Sequence, residues 1–361
     1  MSQKIEKKSI LDLDIGRVNL TQKAIFAKNL SVMLKSGLAI TEALSIAQSS
    51  ATGKLKSILG KVLKSVESGS SLSKSFAQYP KVFPGIFISA TNAGEASGTL
   101  VENLENVSEQ LEKEKELVSK IKGAMLYPIV VLIAAFILGM VLAFVVLPKI
   151  TPLFEGLKID LPLTTQGLIW FSNFVQDYGV YLFIGIIAFV VLTIWLLRRK
   201  FSKPFVHWFL LKTPIIKKIS KSTNLARFSR TLAMLLKSGI SIDKALGIIK
   251  ETTGNYYYQK ALNRISQDIQ KGTKLSDNLA LSNKLFPVML TRMIKVGEES
   301  GKFEETLFYL ADYYELEVDT ATKSLSTAIE PFLLIMIGLV VGFLALSIIT
   351  PIYDITGGIK R

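Results

Sequence analysis

Apolar positions recur at intervals of three and four through the first third of the chain: Ile25, Phe26, Leu30, Met33 and Leu34 in one run, then Leu55, Ile58, Leu59, Val62, Leu63 and Val66 in another. That spacing puts the apolar side chains on one face of an α-helix. Gly37 follows Lys35 and Ser36 at the end of the first run, where a glycine takes the left-handed backbone that stops a helix. Ser71 can cap the next short helix, and Phe83-Pro84 breaks the chain again. The pattern predicts a bundle of about six short helices over 21–124 and no strand pattern.

The same pattern is written a second time. Phe26, Leu30, Leu34, Lys35, Ser36, Gly37, Ile40, Ala43 and Leu44 are answered by Phe228, Leu232, Leu236, Lys237, Ser238, Gly239, Ile242, Ala245 and Leu246. With one residue inserted, Gly69 meets Gly272, Leu72 meets Leu275, Phe83-Pro84 meets Phe286-Pro287, and Gly94-Glu95-Ala96-Ser97-Gly98 meets Gly297-Glu298-Glu299-Ser300-Gly301. Thr273 then stands where a cap for the second short helix is expected. The register continues into long apolar segments, Pro128 with Pro331, Gly139 with Gly342 and Pro148 with Pro351, so a duplicated membrane protein is expected.

Three uncharged runs, Met125–Leu147, Gly179–Leu197 and Pro331–Thr350, are long enough at ~1.5 Å per residue to cross a hydrocarbon layer of ~30 Å. Composition agrees: 49% hydrophobic residues with 20% charged suit soluble bundles alternating with spans better than either alone. The expected fold is an all-α integral membrane protein with two repeated cytoplasmic helical bundles and three transmembrane helices. Its segments are an N-terminal segment 1–20, bundle one 21–124, span one 125–147, an extracytoplasmic loop 148–178, span two 179–197, bundle two 198–327, span three 328–350 and a tail 351–361. The stripe Leu100, Leu104, Val107, Leu111, Val118 and Ile121 runs into Met125 without a break, and Phe303, Leu307, Leu310, Tyr314 and Leu325 run towards Pro331. The last helix of each bundle and the span after it are therefore expected to be one rod, with Glu304, Glu305, Asp312, Glu315 and Glu317 on its wet side.

Charge sets the expected orientation. Lys113, Lys115, Lys120 and Lys122 precede span one, and Arg198, Arg199, Lys200 and Lys203 follow span two, which marks those ends as cytoplasmic. Both bundles then face the cytoplasm, the N-terminus is inside and the C-terminus outside, in a multi-pass cell inner-membrane protein. Lys4, Lys7, Lys8, Asp12 and Asp14 interrupt the first residues, so no secretory signal peptide is expected. Cysteine is absent, which removes disulfides, thiolate metal sites and thiol nucleophiles. No phosphate loop, metal-spaced cluster or Ser/His/Asp set can be assembled, so the chain is read as non-enzymatic, with no cofactor. The net charge of +10 over 198–327 is read as attraction to anionic headgroups or a docking face for an acidic protein, with no nucleic acid expected.

Four features invite a functional reading. The two Gly-Glu segments are either partner or ion contacts, or tight corners whose glycines supply positive φ; one carboxylate per turn is too few for a hard-cation shell of about six oxygens. Thr99 with Glu102 would complete a capping box in copy one. Glu330, just before Pro331, either receives a charged group from a membrane partner or stays solvated at the helix entrance. Gly338 with Gly342, and Ala135 with Gly139, have the small-residue spacing of close helix contacts. His207, within Phe205-Val206-His207-Trp208-Phe209, is read as an aromatic interfacial anchor.

The repeated Leu-Lys-Ser-Gly corner, the Phe-Pro, the Gly-Glu-x-Ser-Gly segment, Tyr127-Pro128 and Leu161-Pro162-x-Thr164-Thr165 together resemble the inner-membrane platform protein of type IV pili and type II secretion systems over about residues 20–355. The resemblance implies a protein placed between a cytoplasmic hexameric assembly ATPase and pilin or pseudopilin subunits, among other inner-membrane assembly proteins, and able to form a homo-oligomer. For the ATPase contact the expected residues are Lys35, Gly37, Gly94, Glu95, Gly98, Lys237, Gly239, Gly297, Glu298 and Gly301. For pilin or helix packing they are Pro128, Gly139, Glu330, Pro331, Gly338 and Gly342. The alternatives are a small transporter or channel subunit and a membrane-bound DNA-uptake factor.

Overall fold

The computed structural model describes residues 18–155, 163–197 and 199–358. The N-terminal segment 1–20 falls almost entirely outside the described residues, as does Leu161-Pro162. Among the described residues there are fifteen α-helices and no strand, and the helices divide into two compact units, one within 18–119 and 207–319 and one within 120–206 and 320–358.

The first unit holds both copies. Copy one is α1 (Leu20–Lys35), α2 (Ile40–Ser50), α3 (Gly53–Glu67), α4 (Leu72–Ala77), α5 (Gly85–Ser97) and the start of α6 (Leu100–Val141). Asn19 opens α1 as a capping box, its side chain accepting from the Gln22 amide at 2.7 Å while the Gln22 side chain accepts from the Asn19 amide at 3.1 Å. Gly37 closes α1 at φ 86°, donating to the Leu34 carbonyl while Leu38 donates to that of Met33, which satisfies carbonyls the helix leaves over. Four phenylalanines fill the core: Phe26 and Phe76 meet edge to face at 6.0 Å, Phe76 and Phe83 lie 4.3 Å apart, and Phe87 completes the cluster.

Copy two begins after α9 (Lys203–Lys212) and is α10 (Pro214–Lys237), α11 (Ile242–Thr252), α12 (Tyr256–Ile269), α13 (Leu275–Ala280), α14 (Val288–Ser300) and the start of α15 (Phe303–Gly358). Gly239 repeats the helix stop at φ 77°. Its core replaces two of the phenylalanines by Leu279 and Leu290 and adds Tyr258, whose hydroxyl donates to the Leu285 carbonyl at 2.9 Å and whose ring meets Phe286 edge to face. That hydrogen bond lets a phenol sit in an apolar core. Each copy thus has the six helices that the apolar period predicts.

The second unit holds the later part of α6, α7 (Leu147–Glu155), α8 (Leu163–Leu197) and the later part of α15. One π-helical turn, Leu142–Val146, separates α6 from α7. The interval 148–178, read from sequence as a loop, is helical over most of its described residues. Thr164, Gln166, Asn173 and Gln176 lower hydropathy without breaking a helix. Other polar residues of the interval are used inside the unit: Thr165 donates to the Ser347 carbonyl at 2.8 Å, and Thr151 to Ser172 at 3.0 Å. Among the described residues three helical segments, Leu100–Pro152, Thr165–Leu197 and Phe303–Ser347, are long and apolar enough to cross a membrane.

Candidate functional site

The first unit carries a groove of about 1150 Å³ walled by both copies. Copy one supplies α4, α5 and α6, with Lys74, Asn92, Glu102, Glu105 and Glu109. Copy two supplies the corner Lys237 to Ser241 together with Lys244 and Ile248 of α11. The corner can face the groove because Gly239 turns the chain directly after α10, so the backbone from Lys237 onward is presented rather than buried in a helix. A strip of carboxylates on α6 opposite lysines from the other copy gives the groove both signs of charge, which suits a protein surface better than a single small ion.

Beside the groove the copies are joined by polar contacts. Arg227 of α10 bonds Glu114 of α6 through both Nε, at 2.9 Å, and Nη2, at 2.5 Å, and the Gln110 side chain donates to Thr231 at 3.3 Å. Two-pronged pairing fixes the orientation of α10 against α6 as well as holding it. Arg230, one turn on, is buried and bonds Asp312 and Glu315 of α15. Burial alone would disfavour its charge, but these bonds outweigh it and hold its pKa above the ordinary value. Of the acids expected on the wet side of α15, Glu304, Glu305 and Asp312 are exposed, Asp312 while bonding Arg230; Glu315 and Glu317 are half-buried against α10, where Glu317 pairs with Lys218 at 3.1 Å.

The Gly-Glu segments make contacts inside the fold. Gly94 and Gly297 lie inside α5 and α14 rather than in a turn; a Cβ on Gly94 would come 2.7 Å from Leu100 Cα, and one on Gly297 3.0 Å from the Thr306 side chain. Their bareness lets consecutive helices touch. Only Gly98 and Gly301 have positive φ, 76° and 70°, and these end the helices. The Glu95 carboxylate turns inward and accepts from the Leu72 and Ser73 amides at 2.6 and 3.1 Å and from the Ser73 hydroxyl at 2.5 Å. Glu298 does the same to Leu275 and Ser276, at 2.9, 3.3 and 2.5 Å. Each carboxylate meets the open amides of a six-residue helix, where negative charge is favoured. Ser71 also caps α4, accepting from the Lys74 amide at 3.3 Å, but Thr273 is not the cap expected of it: Lys274 holds the N-cap position of α13, and Thr273 donates to the Asp268 carbonyl. Thr99 shares a hydrogen bond with Ser97 at 2.6 Å.

Of the expected contact residues, the groove gathers Lys237 and Gly239; from the first Gly-Glu segment it takes Ala96 and Ser97 but not Gly94, Glu95 or Gly98. Lys35 and Gly37 do not line it: Lys35 pairs with Glu105 at 3.3 Å, whereas Lys237 stands over the Phe308 ring at 5.9 Å. Nor do Gly297, Glu298 and Gly301. In the second unit Pro128 lies buried within α6, and Pro331 lies within α15 beside an exposed Glu330. A Cβ on Gly139, Gly338 or Gly342 would meet nothing within 4 Å, whereas one on Gly179 would run into Phe144. The glycine used for packing inside this unit is thus one that the spacing rule did not select. His207, expected as an interfacial ring, accepts through Nδ1 from the Tyr256 amide at 3.0 Å at the start of α12. Among the described residues no group of three or more histidine, aspartate or glutamate side chains could hold a metal ion.

The family model described as type II secretion system protein F matches residues 26–148 and again 228–351, so each match takes one bundle and the apolar run after it. The chain is 34% identical to the type IV pilus assembly protein PilC of Thermus thermophilus over 94% of its own length and 83% of that protein. It is 33% identical to the PilC of Myxococcus xanthus over 99% and 87%, and 31% identical to the type II secretion system protein F of Pseudomonas aeruginosa over 92% and 82%.

Proposed function

Because the chain belongs to the type II secretion system protein F family, we propose that it is the inner-membrane platform of a type IV pilus, type II secretion or competence pseudopilus machine. In this reading it couples a cytoplasmic hexameric assembly ATPase to the extraction and polymerisation of pilin or pseudopilin subunits. The observation that carries the reading is the build of α6 and α15, each of which starts in a bundle core, at Leu104 and Leu307, and continues as one helix into an apolar run. A force on either bundle then has a covalent, hydrogen-bonded path toward the apolar segment. The lysine flanks favour both bundles on the cytoplasmic side, with the C-terminus outside.

The motor contact is assigned to the two-copy groove and the corners beside it, with Lys35, Lys237 and Gly239 exposed to a partner. Glu95 and Glu298 serve that surface indirectly, by holding α4 and α13. The pilin contact is assigned to the exposed faces around Gly139, Glu330, Gly338 and Gly342, where an apolar helix could approach closely. The chain works as a transmitter and not as an enzyme, as a homo-oligomer, and without nucleic acid.

The test is chemical crosslinking of the chain in its own cells, solubilisation in detergent and mass spectrometry of what is recovered. A hexameric ATPase and a pilin-like subunit are expected, with the ATPase crosslinks on Lys74, Lys237 or Lys244. Recovery of a solute-binding protein or DNA, with neither of these, would discard the reading.

A further inference from the structure

The two copies within one chain meet through unlike faces, and the unlike faces left over each carry exposed apolar side chains. In the internal contact, copy one offers α5 and α6 while copy two offers α10 and α11: Ile248 lies 3.6 Å from where a Cβ on Gly85 would stand, Met234 is buried beside Asn106, and Arg227 holds Glu114. The repeat supplies each of these faces once more. The equivalents of Gly85, Ala93 and Asn106 are Val288, Val296 and Tyr309 on α14 and α15, exposed to 57%, 55% and 54%. The equivalents of Arg227, Met234 and Ile248 are Ile25, Val32 and Ile46 on α1 and α2, exposed to 54%, 49% and 42%.

The substitutions between equivalents run one way. Glycine, alanine and asparagine at the closed face become valine, valine and tyrosine at the open one, and the arginine of the closed face becomes isoleucine. Ile25, Val32 and Ile46 account for the large hydrophobics exposed in copy one ahead of α6. Apolar residues scattered singly over a surface need no explanation, but here they gather on the two faces whose counterparts are already buried against each other.

We propose that a second copy of this chain docks head to tail on the first, with α1 and α2 of one chain on α14 and α15 of the next, repeating between chains the contact the two copies make within one. Such a contact is heterologous and leaves one face of each kind open at its ends, so it builds a ring if the rotation closes. This deepens the homo-oligomeric part of the platform reading by naming the surfaces, and its test reads contacts between chains, not pilus assembly or secretion, so either can fail alone.

The chain has no cysteine, which makes paired cysteines a clean probe. Two differently tagged full-length chains, one carrying Ile46→Cys and the other Val288→Cys, are co-expressed and oxidised in membranes. A disulfide joining the two tags is expected, just as Gly85→Cys with Ile248→Cys should close within a single chain and so verify the fold. Adding Val296→Asp is expected to cut the yield between chains about tenfold, the effect of a carboxylate in an apolar contact, without touching the internal control. The proposal is overturned if the internal pair closes and the mixed pair does not, or if Ile46→Cys alone or Val288→Cys alone dimerises as efficiently as the mixed pair. Light scattering on the unmodified chain in detergent is a second readout, in which the mass of one chain would also overturn it.

Discussion

The Glu95 carboxylate accepts the Ser73 hydroxyl at 2.5 Å and the Ser73 amide at 3.1 Å, and in the other copy Glu298 and Ser276 repeat the pair at 2.5 and 3.3 Å. A helix of six residues cannot hold itself, since nucleation is costly and few internal bonds follow. The carboxylate stabilises it from outside by meeting amides that would otherwise be open. Glu95→Gln and Glu298→Gln are each expected to lower stability by about 1–2 kcal/mol, the value of charge-assisted bonds replaced by neutral ones. Because the two clamps sit in different copies, the double variant should show the sum. Thermal unfolding of the intact chain in detergent checks both statements; an unchanged midpoint in either variant would return that glutamate to the surface as a free contact.

The two glycines of each Gly-Glu segment fail for different reasons when filled. Gly94→Ala drives a methyl into the Leu100 backbone at 2.7 Å, which cannot move aside without displacing α6, while Gly297→Ala meets the Thr306 side chain at 3.0 Å. Gly98→Ala meets no atom within 4 Å but keeps a residue at φ 76°, which costs about 1 kcal/mol. The expected order of destabilisation is Gly94→Ala above Gly297→Ala, with Gly98→Ala near that value of about 1 kcal/mol. Denaturant midpoints of the three variants measure it.

Arg230 offers a comparison between two acids on one guanidinium. Its side chain is 7% exposed, that of Glu315 16% and that of Asp312 68%. Water stabilises Asp312 whether or not the arginine is present, but Glu315 depends on it. Arg230→Met is expected to cost about 3 kcal/mol by leaving Glu315 unpaired, and combining it with Glu315→Leu should recover most of that loss. Asp312→Asn should cost below about 1 kcal/mol. Equal effects of the two acidic variants in unfolding experiments would contradict the role given to burial here.

Much of this architecture can be read from the order of residues. The period of three and four in each copy, the Lys-Ser-Gly stops and the Phe-Pro breaks depend on neighbours a few positions apart, and α1 to α6 and α10 to α15 follow them. What could not be read depends on contacts between distant residues. Nothing local tells that Glu95 bends back to Ser73, that Asp312 and Glu315 face an arginine on α10, or that Gly94 is bare because Leu100 crosses it. A signal for the first was present in the repeat, since an acid and a serine recur together at Glu95 with Ser73 and at Glu298 with Ser276, while most of the intervening residues differ. Hydropathy along 148–178 does not tell that its described residues are helical, with Thr165 and Ser172 as polar residues held inside the unit.

Tyr258 fixes the direction of one pH dependence. Burial pushes its phenol pKa up, with a smaller push from Tyr314, and Tyr314 is itself raised by burial first and then by Tyr313 and Glu317. In the unfolded chain these phenols ionise near the ordinary value of 10.0, but in the bundle they keep their protons. The folded state therefore binds more protons above pH 10.0, so the stability present below that pH is lost as pH rises through the window toward the folded values. Tyr258→Phe removes one contributor. It should lower stability by about 1 kcal/mol at pH 8 through loss of the bond to the Leu285 carbonyl, and it should flatten the decline on the alkaline side. Chemical unfolding of both proteins at pH 8 and pH 11 tests this, because the gap between them must narrow with rising pH; a gap that stays constant would mean the Tyr258 phenol ionises in the bundle as readily as it does in water.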